Sequence, residues 1–155
     1  MSWAIRRATS ADAALLAEHR GRVWVEVSGY DEAAVAGQMP VWTAFFADAI
    51  EESRYVGWIA HDGGGTVLGS GALLVNLAIP RPEHPGDRYG RVQSVYVVPA
   101  ARRHGIARAI MAELIAYART ALLLRLVLHP SEMARPLYAG LGFAPVDEMA
   151  LVLDA

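Results

Sequence analysis

The residues with the clearest chemical potential lie in one stretch, Val95-Tyr96-Val97-Val98-Pro99-Ala100-Ala101-Arg102-Arg103-His104-Gly105-Ile106-Ala107-Arg108. Its pattern is a strand that ends, a tight loop, and a helix that opens at a glycine with a small residue two positions on. The first N–H groups of a helix have no internal partner, and the helix dipole places partial positive charge on them. Gly105 lets a ligand approach the backbone, Ala107 keeps the next turn low, and the flanking arginines add formal charge. That combination suits a pyrophosphate lying on the amides of Arg103, His104, Gly105, Ile106, Ala107 and Arg108. Two other phosphate motifs do not fit. A P-loop needs Gly-Lys-Ser/Thr, and the chain has no lysine. The dinucleotide fingerprint needs a third glycine where Arg108 stands, and no βαβ unit opens the chain.

The elements that must position this loop can be read from periodicity. Ala4 to Ala8 reads as a short strand, and Thr9 or Ser10 caps a helix to about Arg20 whose inner side carries Ala14, Leu15 and Ala17. Residues 30–53 repeat apolar residues at helical spacing, with a break expected at Pro40. Arg54 to Ala60 and Thr66 to Ile79 form a hairpin around Asp62-Gly63-Gly64-Gly65, followed by a proline-rich loop over residues 80–86. Gly90 to Val98 is a strand, and His104 to Thr120 a helix with Ile106, Ile110, Leu114 and Ala118 in one row. Leu122 to Leu128 reads as a strand covered on both faces. A further helix carries Ala134, Leu137, Tyr138 and Leu141. It starts near Ala134 so that Pro136 falls in its first turn, and Gly142 follows its end. Phe143 to Leu153 is expected to give a final strand or pair. This order makes one α/β domain with a mixed sheet over residues 1–155.

Composition excludes several classes of function. At 54 % hydrophobic residues the 155-residue chain can bury a core and is no disordered segment. No apolar run approaches the roughly 18 residues that span a bilayer, and the first residues lack the order of a secretory signal, so a cytoplasmic protein is expected. The absence of cysteine removes disulfides and an acyl-cysteine intermediate. His19, His61, His84, His104 and His129 show no ligand spacing, so no metal is expected. A net charge of −2 argues against nucleic acid as partner. Charge is unevenly placed, however. Residues 1–62 hold Asp12, Glu18, Glu26, Asp31, Glu32, Asp48, Glu51, Glu52 and Asp62 against five arginines, whereas residues 88–112 hold five arginines and no acid. The basic segment suggests a small anionic ligand, and the acidic one favours a cationic second substrate.

Taken together, the Arg-x-x-Gly-x-Ala run after Val-Tyr-Val and the later Ser131-x-x-Ala134-x-x-x-Tyr138-x-x-Leu141-Gly142-Phe143 resemble the two signatures of the GNAT superfamily of N-acetyltransferases. The element order is similar as well, so the resemblance covers nearly the whole chain. It implies a GNAT-like α/β (α+β) fold: a mixed, mostly antiparallel sheet with its central strands splayed and helices on both faces. It also implies acetyl-CoA (coenzyme A) as donor, with the backbone of Tyr96, Val97 and Val98 pairing with the pantetheine arm. Arg102, Arg103, His104, Gly105, Ile106, Ala107 and Arg108 would hold the pyrophosphate, and Ser131 would contact the arm. Tyr138 would act as general acid at the departing sulfur. The acceptor would be a primary amine of a small molecule or peptide, attacking directly, with a wall that includes Trp24, Glu26, Tyr30 and Gln93. A homodimer is implied by analogy.

Independently of the name, attack of an amine on a thioester needs a donor for the oxyanion, which a backbone N–H at Val97 or Val98 could supply. The chain departs from the family pattern at the usual positions of the general base, which are occupied by Arg91 and Leu126. Water, a water oriented by Gln93, or a carboxylate such as Glu26 or Asp87 must then serve. The departure keeps an alternative open, a non-catalytic acyl-CoA-binding or regulatory module on the same fold. Tyr138 also fits an ordinary core tyrosine, and Ser131 a plain helix cap.

Overall fold

The structure, a computed structural model, describes residues 1–153. Five strands, β1 (Trp3–Arg7), β2 (Tyr55–Asp62), β3 (Val67–Leu77), β4 (Arg88–Val97) and β5 (Leu126–Val127), lie in the order β1-β2-β3-β4-β5. The first four pair antiparallel, while β5 returns parallel to β4 after the helix α3 (Ile106–Thr120). Two further helices, α1 (Ala13–Ser28) and α2 (Glu32–Glu51), cover the opposite face, and a short α4 (Arg135–Ala139) follows β5.

Strand alternation explains how one sheet serves two cores. On β2, Tyr55 and Ile59 pack with Leu16, Ala17 and Phe46 of α1 and α2. Their neighbours Val56, Trp58 and Ala60 pack with Ile106, Ile110, Met111 and Leu114 of α3. The expected row along α3 is therefore the buried stripe, with Ile106, Ile110 and Leu114 at 1 % exposure or less. Close approach between layers relies on small residues. A Cβ at Gly69 of β3 would stand 2.6 Å from the Tyr96 carbonyl oxygen, and one at Gly71 2.8 Å from Ile110.

The ends of several elements differ from the sequence reading. The first helix is preceded by a 3₁₀ turn (Ser10–Asp12) and begins at Ala13, which shifts its phase: Ala13, Leu16 and Ala17 face inward, and Ala14 is exposed. It also runs eight residues past Arg20 to Ser28, ending only at the left-handed Gly29. Pro40 does not break α2. It lies on the exposed side of a continuous helix, where loss of one hydrogen bond leaves a carbonyl that solvent can serve.

The segment 122–128 forms only the two-residue β5, because Pro130 has no N–H for a ladder and restrains the residue before it. Phe143 to Leu153 forms no strand. Two residues of β5 offer too short an edge to template one, and Met149, Leu151, Val152 and Leu153 stand exposed. The helix of residues 134–141 is shorter than expected, yet Pro136 does fall in its first turn. Gly142 takes φ +94° three residues beyond the helix end, and the Phe143 N–H donates to the Tyr138 carbonyl.

The entry to α1 is held by one carboxylate. Asp12 accepts two hydrogen bonds from the Arg6 guanidinium (2.7 and 2.8 Å) and one from the Thr9 N–H (2.8 Å), and the Arg6 contact lowers its pKa to about 2. A carboxyl group with a depressed native pKa contributes stability above its unfolded value and loses it as pH falls towards the native one. Asp12→Asn is expected to cost about 1–2 kcal/mol at neutral pH, allowing for the exposure of Arg6, with the difference from the parent closing between about pH 4 and pH 2 in urea titrations. Gly69→Ala should lower stability by about 1–3 kcal/mol in the same assay, because the obstructing atom belongs to the β4 backbone.

Candidate active site

Where β5 stops, β4 loses its neighbour. The parallel pairing covers Gly90 with Leu126 and Arg91 with Val127, so the β4 edge from Val92 to Val97 is open. A β-bulge lies in the same stretch: the register with β3 slips between Ser70 and Ala72, and Ser94 adopts φ +52°. The bulge turns consecutive residues the same way. Gln93 and Ser94 both reach Arg20 of α1, and Tyr96 reaches Glu26, whereas Val95 and Val97 pack on the α3 side. Of the two amides considered for the oxyanion, that of Val98 donates to the Leu68 carbonyl at 2.9 Å. The Val98 carbonyl accepts from Ala101, so the Val98 backbone is committed within the fold and does not offer a ladder edge to an arm. Alternation then turns the Val97 N–H away from β3, into the opening.

Beyond β4, a 3₁₀ turn (Pro99–Ala101) leads into α3. Arg103 and Gly105 take φ +68° and +80°, and the first amide of the helical ladder is Ala109, which donates to the Gly105 carbonyl. Among the described residues, no hydrogen-bond partner meets the amides of Arg103, His104, Gly105, Ile106, Ala107 or Arg108. Six consecutive free N–H groups at a helix start, two of their residues left-handed, form an anion-binding concavity. A Cβ on Gly105 would meet nothing within 4 Å, so its φ, not crowding, calls for glycine there. The other left-handed non-glycine residues, Ser53 and Leu122, follow helix ends where such a conformation is usual. Ser94 and Arg103 have no such excuse, and both flank the opening.

The side chains expected around the cofactor divide into two groups. Arg103 and His104 are exposed, as is Arg108, which extends towards α4: a Cβ on Gly140 would stand 3.3 Å from its Nη2. Arg102 is engaged elsewhere. It donates to Glu26 Oε2 at 2.7 Å and to the Val97 carbonyl at 3.0 Å, so its side chain braces β4 against α1. Glu26 also accepts from the Tyr96 hydroxyl (3.0 Å), and the Arg102 contact lowers its pKa, making it a poor general base. Tyr96 in turn lies 4.9 Å from the ring of buried His19, whose Nδ1 is 2.7 Å from Ser70 Oγ.

Ser131 is the N-cap of a 3₁₀ turn (Glu132–Ala134), accepting from the Ala134 N–H at 3.3 Å. Tyr138 joins the α3-side cluster edge-on to Phe143 at 5.8 Å. Burial raises its pKa, so the phenol is protonated at neutral pH, the state a proton donor needs. Arg91 lies 3.7 Å from Glu148 Oε1, and Asp87 is paired with Arg88 at 3.6 Å.

On the α1–α2 side, the structure brings Gln93 and Trp24 together with residues the sequence reading did not select. Arg20, Trp42, Phe45, Tyr55 and Leu74 line a cavity of about 270 Å³ with Gln93. The Arg20 guanidinium carbon is 5.2 Å from the ring centres of both Trp24 and Trp42, and Tyr30 packs edge-on to Trp24 at 4.6 Å. Glu26 is turned away from this group, towards Arg102. The Arg20-x-x-x-Trp24 spacing, one helical turn, was the available sequence signal. Among the described residues there is no group of three metal-binding side chains, and no helix is long and apolar enough to cross a membrane.

Comparison with known proteins finds the same fold. An acetyltransferase (GCN5-related) from Ralstonia eutropha superimposes with a TM-score of 0.87 at 29 % identity, over 98 % of this chain and 99 % of that one. A predicted acetyltransferase with acetyl-CoA from Clostridium acetobutylicum gives 0.84 at 22 % identity, over 98 % and 96 %. A ribosomal-protein-alanine N-acetyltransferase from Brucella melitensis gives 0.67 at 20 % identity, over 99 % of both chains. No curated protein matches by sequence. Residues 29–143, which include the β4–α3 loop and Tyr138, match the model of the acetyltransferase (GNAT) family, and the chain belongs to that family.

Proposed function

We propose that the chain, as a single domain, transfers an acetyl group from acetyl-CoA directly to the primary amine of a small molecule or peptide. The observation that carries this reading is the run of six unpartnered amides from Arg103 to Arg108, beside an open β4 edge. Donor groups in this arrangement fit a diphosphate at the helix start and an extended amide-bearing arm along β4. Bound there, acetyl-CoA supplies an activated acyl group on a thiol leaving group. Val95 and Val97 offer the edge, and the Val97 N–H is the donor placed for a developing oxyanion. Arg103 and Arg108 add charge at the diphosphate, while Arg102 holds Val97 in place through its carbonyl. The Ser131 hydroxyl, which accepts from Ala134, keeps its own proton to donate to the arm.

Tyr138 is the general acid in this reading. Burial raises its pKa, which argues for proton transfer in concert with departure of the sulfur rather than from an ionised phenol. Among the described residues, the carboxylates considered as base are engaged: Glu26 is bound to Arg102 and Asp87 is paired with Arg88, while Arg91 takes the place of an acid. Deprotonation of the amine then falls to water, with Gln93 at the edge to orient it. The engagement of these carboxylates favours a second reading, a module that binds acyl-CoA without turning it over.

Thiol release from acetyl-CoA in the presence of an amine panel separates the two, since a binding module releases none. In that assay Tyr138→Phe should reduce kcat by about 10²-fold or more and leave the coenzyme A Kd nearly unchanged; equal losses in both would show the tyrosine to be a packing residue. Gly105→Glu should abolish coenzyme A binding in calorimetry, because it sets a carboxylate on the anion cradle. Gly105→Ala, which carries the strain without the charge, should retain binding; if the Glu variant also binds, the cradle lies elsewhere.

A further inference from the structure

The cavity between α1, α2 and β4 holds a cation without a counter-ion. Arg20 uses one guanidinium nitrogen, Nη1, for Gln93 Oε1 (3.2 Å) and Ser94 Oγ (3.4 Å). Its Nη2 and Nε have no hydrogen-bond partner, and Arg20 forms no salt bridge, among the described residues. Guanidinium groups taken out of water usually meet a carboxylate or several carbonyls. Here the surroundings are Trp24 and Trp42 at stacking distance, then Phe46, Tyr55 and Leu74, with Val41 and Phe45 at the rim. Burial lowers the pKa of Arg20, a sign that the protein itself does not repay its desolvation.

The acids nearby in sequence do not repay it either. Asp12 is bound to Arg6, Glu26 to Arg102 and Glu52 to Arg54, while Asp31 caps α2. These four acids are thus spent on internal contacts and a helix end, and none of the acids of residues 1–62 forms a salt bridge to Arg20. The cavity, with Arg20 as its charged lining residue, presents the opposite sign to the acidic excess that favoured a cationic acceptor.

Gln93 and Ser94 tie this cavity to the reaction. They stand four and three residues before Val97 on β4, at about 3.3 Å per residue, and the bulge at Ser94 turns both towards Arg20. An acceptor in the cavity would therefore reach the open edge from the α1–α2 side. From this juxtaposition we infer that the acceptor is an amine that also carries a carboxylate, held by Arg20, on an apolar body of amino-acid size seated against Trp42, Phe45 and Leu74. The inference rests on the acetyl-transfer reading for its chemistry but not for its binding site. A planar guanidinium with two free nitrogens matches a carboxylate in bidentate geometry. At about 270 Å³ the cavity falls short of the space taken by drug-sized ligands.

Trp24 and Trp42 provide a readout that does not need turnover. With coenzyme A present, L-phenylalanine, L-leucine and L-methionine are titrated against tryptophan fluorescence, each beside its carboxamide. At least one acid is expected to bind about 10-fold or more tightly than its amide, and Arg20→Gln, which keeps a donor for Gln93, should remove that preference while binding coenzyme A as the parent does. Equal binding of acid and amide by the parent for all three pairs would overturn the inference. So would a preference that survives in Arg20→Gln. Thiol release is followed on the same pairs. A carboxylate preference in fluorescence without any release would refute acetyl transfer and leave the anion site standing, whereas release that ignores the carboxylate would refute the anion site and leave transfer standing.

Discussion

A sheet normally leaves no backbone group in its interior without a partner, and β4 departs from that rule. After Arg91, β4 has β3 on one side and, among the described residues, no paired strand on the other, because Pro130 ends β5 after two residues. The deficit continues through the loop, where the amides of Arg103 to Arg108 face outward from a helix start. Unpartnered N–H groups are costly unless water or a ligand serves them, so the rest of the structure is arranged to hold them open. Arg102 bridges Val97 and Glu26, Tyr96 is clamped by Glu26 and His19, and Gly69 and Gly71 let β4 and α3 approach β3. The buried stripe of α3 anchors the helix whose first turn must remain unsatisfied.

The two sides of that opening are chemically different. On the α3 side, polarity comes from the backbone and from arginines free in solvent, which suits a flexible, highly charged ligand. On the α1–α2 side, one partly buried guanidinium sits among aromatic rings, and its charge is strong because little water surrounds it. The bulge at Ser94 is the joint between them. By inserting a left-handed residue it reverses the alternation of β4, so that Gln93 and Ser94 address one side and Val95 and Val97 the other.

Much of this was legible along the chain. The stripe of α3, the Asp62–Gly65 hairpin, Pro136 in the first turn of α4 and the glycine at the helix start all follow from local rules, and the structure retains them. The readings that failed depended on what lay across from a segment. Leu122 to Leu128 and Phe143 to Leu153 have the composition of strands, but a strand exists only where an edge receives it. Ala14 faces solvent because the three-residue 3₁₀ turn before α1 changes which side of the helix meets the sheet. Pro40 leaves α2 unbroken because its cost is small where the orphaned carbonyl faces water.

The sequence by itself determined the cradle, since the left-handed glycine, the small residue after it and the helix start are consecutive and need no distant partner. Tertiary structure alone decided which charges are available. Arg102 and Glu26 are 76 positions apart and neutralise one another, whereas Arg20, 73 positions from Gln93, is brought beside it without an acid. Composition counts charges, but only folding pairs them, because Coulomb attraction and desolvation depend on distance and burial that the order of residues does not state.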